Sequence, residues 1–280
     1  MKRHKRSLRR YIQEFSRRFL EALGVLAVVA GAVALFAPDL LQGRWWLVGI
    51  AALLAIGWAS FTLRQKSSEQ WFPSESVTIR LVEGDLFEQS ASAMVGMTTT
   101  FDTESGIIEN KSVQGSLLRA IYDGSQTRLD AALTAALSEV GPVDTITKPG
   151  KHDIYPLGTV AVLPGQGAIR YYCVAYTEMD VHNRAKGTIR GILDSLDAVW
   201  DAADRHGNGE PICVPLLGQG QSRIPELTAE TAVRLIAFSF LLRTRRGRFS
   251  KELRIVVHPN EIGKVDQAEF QAFLRSLVAG

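Results

Sequence analysis

Apolar residues follow two regimes along the chain. Between Phe19 and Leu63 they are nearly continuous, and only Glu21, Asp39 and Arg44 carry charge. Phe19–Ala37 and Trp45–Leu63 are 19 residues each, separated by Pro38–Arg44. At about 1.5 Å per helical residue each would reach roughly 28 Å, close to a hydrocarbon core of ~30 Å. The pattern predicts a two-helix transmembrane hairpin over 19–63. Glu21 would sit within reach of lipid headgroups, and Trp45 and Trp46 would anchor the interface. A helical hairpin buried in a soluble core and a signal peptide cleaved near Ala32-Val33-Ala34 are the alternatives. The long charged start and the second apolar run count against the signal peptide. Small residues at four-residue spacing (Ala27 and Gly31; Ala51, Ala55 and Ala59) suit close helix packing in lipid, or simply an alanine-rich segment.

Past a polar linker, 64–76, the pattern changes. Val77–Val82, Ala93–Met97, Thr159–Leu163, Tyr171–Tyr176, Ile212–Leu217 and Leu253–Val257 are short apolar or β-branched runs that predict strands. Pro164–Gly167 predicts a hairpin turn, its Gly165-Gln166-Gly167 reading as a turn rather than a phosphate loop. Helical periodicity covers Thr188–Ala203, where Ile189, Ile192, Leu193, Leu196, Val199, Trp200 and Ala203 form one stripe. Thr127–Val140 repeats it with Leu129, Leu133, Ala136 and Leu137. Thr228–Arg243 is apolar on nearly all sides and predicts a buried helix, and Val265–Val278 predicts a closing amphipathic one. The alternation predicts one α/β domain over 77–280, a mixed sheet with helices on both faces.

Charge sharpens the division. The net charge of +3 splits into +6 over residues 1–76 and −3 over the rest. Eight basic side chains crowd the tail 1–18, and Arg64 and Lys66 follow the second apolar run, so both termini are expected in the cytoplasm. The mildly acidic main domain argues against nucleic acid as a partner. Two cysteines, Cys173 and Cys213, lie in strand-like runs and read as small buried hydrophobes, with no zinc or redox spacing. The cluster Arg243, Arg245, Arg246, Arg248, Lys251 and Arg254 reads as a solvated helix end, or as a contact for anionic lipid or a neighbouring protomer.

Candidate chemistry gathers where strands end. Gly84-Asp85-Leu86 follows the first strand; Gly84 permits close approach of a ligand, and Asp85 can accept from an exocyclic amine or cap a turn. The polar stretch Thr98-Thr99-Thr100-Phe101-Asp102 follows the second strand and runs on through Gly106-Ile107-Ile108 to Ser112, Gln114 and Gly115. Leu217-Gly218-Gln219-Gly220-Gln221-Ser222-Arg223 lies between a strand and a helix opening near Pro225, where two glycines free backbone N–H groups for an anion. Arg223 replaces the third glycine of a dinucleotide fingerprint, and no Gly-Lys-Ser/Thr follows as in a Walker loop. His152, His182 and His258 have no catalytic neighbour in sequence.

Together these segments resemble a macro domain, the family that binds ADP-ribose and its relatives. Gly84-Asp85-Leu86-Phe87 is similar to the family's adenine-contacting segment, Gly218-Gln219-Gly220 with Arg223 to its diphosphate loop, and Gly106–Gly115 to its first phosphate loop. The Asn-rich run of hydrolytic members is replaced by Val95–Asp102, so the resemblance implies a binder without catalytic residues, metal or cofactor. The apolar hairpin, Thr99–Thr103, Gly106–Ile108 and Ser112–Gly115 resemble the membrane effectors of Thoeris anti-phage systems. That resemblance implies a ligand of the ADP-ribose type, such as histidine-ADP-ribose, made by an enzyme with a Toll/interleukin-receptor domain. It also implies a homo-oligomer that disrupts the bilayer as a multi-pass inner-membrane protein. A membrane-tethered ADP-ribosyl hydrolase is the alternative within the same fold, and a passive anchored scaffold is a third.

Overall fold

The computed structural model describes residues 19–21, 24, 50, 52–53, 55–57, 68–219 and 224–278. The chain divides into two compact units, Met1–Lys66 and Ser67–Gly280.

The first unit requires a correction. A bilayer crossing needs about 20 predominantly apolar residues in one helix. Among the described residues no helix is long and apolar enough to cross a membrane. The longest, Ile189–His206, carries Asp194, Asp197, Asp201 and Asp204. This overturns the two-span hairpin and the multi-pass inner-membrane location built on it. Most of 19–63, with the tail 1–18, lies outside the described residues; those that are described in 19–63 are helical.

In the second unit the strands are β1 (Glu69–Phe72), β2 (Val77–Glu83), β3 (Ser92–Thr98), β4 (Asp144–Thr145), β5 (Asp153–Ile154), β6 (Val160–Pro164), β7 (Arg170–Met179), β8 (Ala185–Gly187), β9 (Ile212–Pro215) and β10 (Glu252–Val257). The helices are α1 (Val113–Tyr122), α2 (Gln126–Ala136), α3 (Ile189–His206), α4 (Ala229–Thr244) and α5 (Gln267–Val278). The six expected strands form with ends shifted by a few residues. The stretch expected as a linker contains β1, and α1 forms where a continuous loop was expected.

The sheet order is β1-β2-β10-β9-β3-β7-β6, with β8 also on β7. The five strands β2, β10, β9, β3 and β7 are mutually parallel, while β1, β6 and β8 pair antiparallel. Period-two alternation divides the side chains between two cores. Val77, Ile79 and Leu81 of β2, Met94 of β3 and Tyr172 and Val174 of β7 join α3, α4 and α5 on one face. Ala93, Val95, Met97, Tyr171, Cys173 and Ala175 join α1 and α2 on the other. The first core centres on Trp200, whose ring meets Phe240 edge-on at 5.4 Å and whose Nε1 donates to Ser239 Oγ at 3.2 Å.

Four helices open on hydroxyl caps: Ser112, Ser125, Thr188 and Thr228 each accept from a backbone N–H in the first turn. Gly165 N–H donates to Ile169 O at 2.9 Å, closing the β6–β7 hairpin as a plain turn. Burial raises the thiol pKa of both cysteines, that of Cys213 to about 12, as expected for inert core residues. Arg243, Arg245, Lys251 and Arg254 meet Asp201 and Asp204, Glu75, Glu210 and Glu252, so much of the basic cluster is spent within the domain.

Candidate functional site

Five parallel strands end on the same edge of the sheet, and their carboxyl ends open into a cleft of about 1100 Å³. Each strand delivers a wall. Gly84, Asp85, Leu86 and Phe87 follow β2, and His258, Asn260 and Glu261 follow β10. Leu216, Leu217, Gly218 and Gln219 follow β9, and Thr98 ends β3. Tyr176, Thr177 and Met179 close β7, with Asn183 and Arg184 on the turn to β8. The start of α1, from Lys111 to Gln114, completes the rim. Lys111, Arg119, Arg184 and His258 face Asp85, Glu109 and Glu261 around the cleft, a mixed rim suited to a ligand that is both anionic and hydrogen-bonding.

Asp85 is fixed by its own turn. It is the cap of a short 3-10 turn, Leu86–Glu88, and its Oδ1 accepts from Phe87 N–H at 2.8 Å. Its position on the cleft therefore does not depend on a flexible rotamer. Ser112 fixes α1 similarly, its Oγ accepting from Gly115 N–H at 3.0 Å and donating to Glu109 O at 2.7 Å. Gly115 is required here. A Cβ would lie 2.6 Å from Glu109 O and 2.8 Å from Asn110 O, so any side chain would push the loop off the helix. Arg119 secures the loop from the other end through Asn110 O and Ser116 Oγ. The outcome is a helix N-terminus held open at the cleft, where N–H groups and the helix dipole favour an anion.

Gly218 shapes the facing wall. Its φ is +72°, and a Cβ would meet Leu227 at 2.8 Å. Gln219 Nε2 donates to Leu227 O at 2.8 Å and ties this turn down. Gly220, Gln221, Ser222 and Arg223 lie outside the described residues. The following helix begins at Ala229 after its Thr228 cap, later than the expected start near Pro225.

The stretch after β3 behaves differently from a ligand loop. Thr98 reaches the cleft, but Thr99, Thr100, Phe101 and Asp102 are all buried. Thr99 N–H donates to Thr177 O and Tyr155 N–H to Thr99 O, at 2.8 and 2.9 Å. Phe101 takes a left-handed φ of 49° and meets Tyr155 edge-on at 5.5 Å. Asp102 pairs with Lys148 at 2.7 Å, both side chains being 0% exposed. Its Oδ2 also accepts from Thr100, its Oδ1 accepts from Lys151 N–H at 2.7 Å, and its carbonyl accepts from Gln114 Nε2. This cluster positions Gln114 on the rim from beneath. Nearby, Asp130 meets Lys151 at 2.5 Å and Thr103 at 2.6 Å. Burial would raise its pKa, but those two partners hold it below the ordinary value.

Of the sequence candidates, Gly84, Asp85, Leu86, Thr98, Ser112, Gln114, Leu217, Gly218 and Gln219 line one cleft. Gly115 and the buried run 99–102 stand behind it. Tyr176, Asn183, Arg184 and Asn260 escaped sequence reasoning because their place depends on strand order. His258 has no catalytic neighbour in sequence, and the end of β10 brings it to the cleft; His152 instead contacts Lys148 O at 2.9 Å.

Three comparisons bear on this geometry. Residues 79–258 match the family model described as "Thoeris protein ThsA, Macro domain". The Thoeris protein ThsA of Bacillus amyloliquefaciens (strain Y2) is 20% identical over 204 residues, covering 70% of this chain and 67% of that protein. A variant of the Oceanobacillus iheyensis macrodomain superposes with a TM-score of 0.50 at 12% identity, over 75% of this chain and 98% of the other, a likeness of fold alone.

Proposed function

We propose, from the premise that this chain belongs to the family of Thoeris ThsA macro domains, that its cleft is a receptor for an ADP-ribose-derived nucleotide. The observation that carries this reading is the arrangement of the rim. Asp85 stands at the β2 end for an exocyclic amine. The start of α1 and the Gly218 turn line the same cleft, and a diphosphate would lie between them. The ligand would be the product of a partner enzyme with a Toll/interleukin-receptor domain, and histidine-ADP-ribose is the conjugate to try first.

The chain's own residues support binding rather than hydrolysis. Val95–Asp102 offers no asparagine to orient a water. The carboxylate in the stretch after β3, Asp102, spends both oxygens on Thr100, Lys148 and Lys151. Sealed from solvent and so engaged, it is not placed to take a proton from water in the cleft. The role left to the cleft is recognition, with the nucleotide released unchanged.

Calorimetry on the full chain with ADP-ribose tests this. Removing the Asp85 carboxylate deletes a charge-assisted contact of about 1.5–3 kcal/mol, so Asp85→Ala should weaken binding by roughly 10- to 150-fold. Gly218→Glu should abolish binding, because its side chain meets Leu227 and brings a negative charge to the diphosphate position. Circular dichroism should be unaltered in both. Undiminished affinity in both variants would remove this cleft as the site.

A further inference from the structure

The parallel order β2, β10, β9, β3, β7 sets a ruler across the cleft. From Asp85 after β2 to the β7 edge is four strand spacings of about 4.8 Å, roughly 19 Å. With its base at Asp85 and its phosphates between α1 and the Gly218 turn, an adenosine diphosphate would end beside β3. The β7 side of the cleft would remain uncovered, and what it presents is specific.

Strand β8 lies beyond β7, on the side away from β3, because Thr177 to Met179 pair with Gly187 to Ala185 while Thr98 pairs with Thr177 from the other side. The turn Asp180–Arg184 between them is locked. Asp180 Oδ1 accepts from His182 and Arg184 N–H, both at 2.9 Å, and Asp180 N–H donates to Arg184 O at 3.1 Å. Asn183 holds a left-handed φ of 57°, and its Nδ2 donates to Pro149 O at 3.3 Å. That contact fixes which end of the amide is oxygen. Asn183 Oδ1 is buried and finds no donor among the described residues. Arg184, next to it, lines the cleft and has no carboxylate within ion-pair distance among the described residues. A turn with a fixed backbone thus presents one exposed cation, Arg184, at the end a bare nucleotide would not reach.

Resting on the nucleotide reading above, we infer that the β7–β8 turn is a specificity subsite for the ligand's non-nucleoside end, with Arg184 receiving an anionic group there. The end group recognised is therefore acidic, and a neutral end is disfavoured because it leaves Arg184 without a counter-charge.

Three probes separate the ends: ADP, which lacks the second end; NAD; and nicotinic acid adenine dinucleotide, which differs from NAD only in carrying a carboxylate for a carboxamide. Calorimetry on the full chain should show the acid dinucleotide binding about tenfold or more tighter than NAD. Arg184→Gln should bring the two dinucleotides together, and Arg184→Lys should restore part of the preference. Equal affinity for the two dinucleotides in the unmodified chain, with ADP still bound, would overturn this subsite alone. So would a preference that survives Arg184→Gln. No binding by any of the three would overturn the nucleotide reading and the subsite with it.

Discussion

Asp102 and Lys148 lie 46 positions apart in sequence and 2.7 Å apart in the structure, both sealed from solvent. A buried ion pair contributes little net stability, but removing one partner strands the other charge, at about 3–5 kcal/mol. Lys148→Met should therefore lower unfolding free energy by that amount in urea titration. Pairing it with Asp102→Leu should cost less than the two single changes added together. A loss below about 1 kcal/mol in Lys148→Met would show that the pair does not anchor the loop. The residue scale is also where the sequence was least legible. Asp102 stood out because it follows a strand in a polar run, and it looked like a ligand contact. Its real environment is decided by Lys148, Lys151 and Gln114, none of which proximity in sequence could supply. Asp85 was more legible, since its capping of the turn is local and the end of β2 sets it on the cleft.

At the scale of elements, short-range physics carried further. Strands β2, β3, β6, β7, β9 and β10 announce themselves as apolar β-branched runs, and α3 as an apolar stripe on a polar helix. The elements that escaped have weak local signatures. Helix α1 hides behind Lys111-Ser112-Val113-Gln114-Gly115, where a glycine inside the first turn disguises a helix start. That glycine exists because the 109–110 carbonyls pass too close for a Cβ. Gly115→Ala should therefore displace the Glu109–Ser112 loop from the helix rather than gain the helix propensity alanine normally brings. The readout is ADP-ribose affinity, expected to fall at least tenfold while overall helicity holds. Unchanged affinity would show that this loop plays no part in holding the anion. Strand β1 escaped because Glu69–Phe72 is short and half polar, as edge strands are.

At the scale of the whole molecule, strand order does what no motif shows. It gathers residues from Gly84 to Glu261 along one edge of the sheet and puts Asp85 and Arg184 at opposite ends of the cleft. The α/β class with helices on both faces was readable from alternation alone, because each helix and strand carries its own burial pattern. The order of the strands was not, because it is set by long-range pairing. The expectation of two bilayer crossings rested on the apolar content of 19–63. Apolar content is necessary for a crossing but not sufficient, and among the described residues no helix is long and apolar enough. The central claim concerns the second unit: the cleft captures an adenosine-diphosphate-containing signal and leaves it intact. The most direct measurement is the mass of the small molecule retained by the full chain purified from phage-infected cells that carry the partner enzyme. An intact ADP-ribose conjugate with an acidic end is expected, absent when Gly218→Glu is used as bait. Retention of nothing, or of a molecule without adenosine diphosphate, would contradict it.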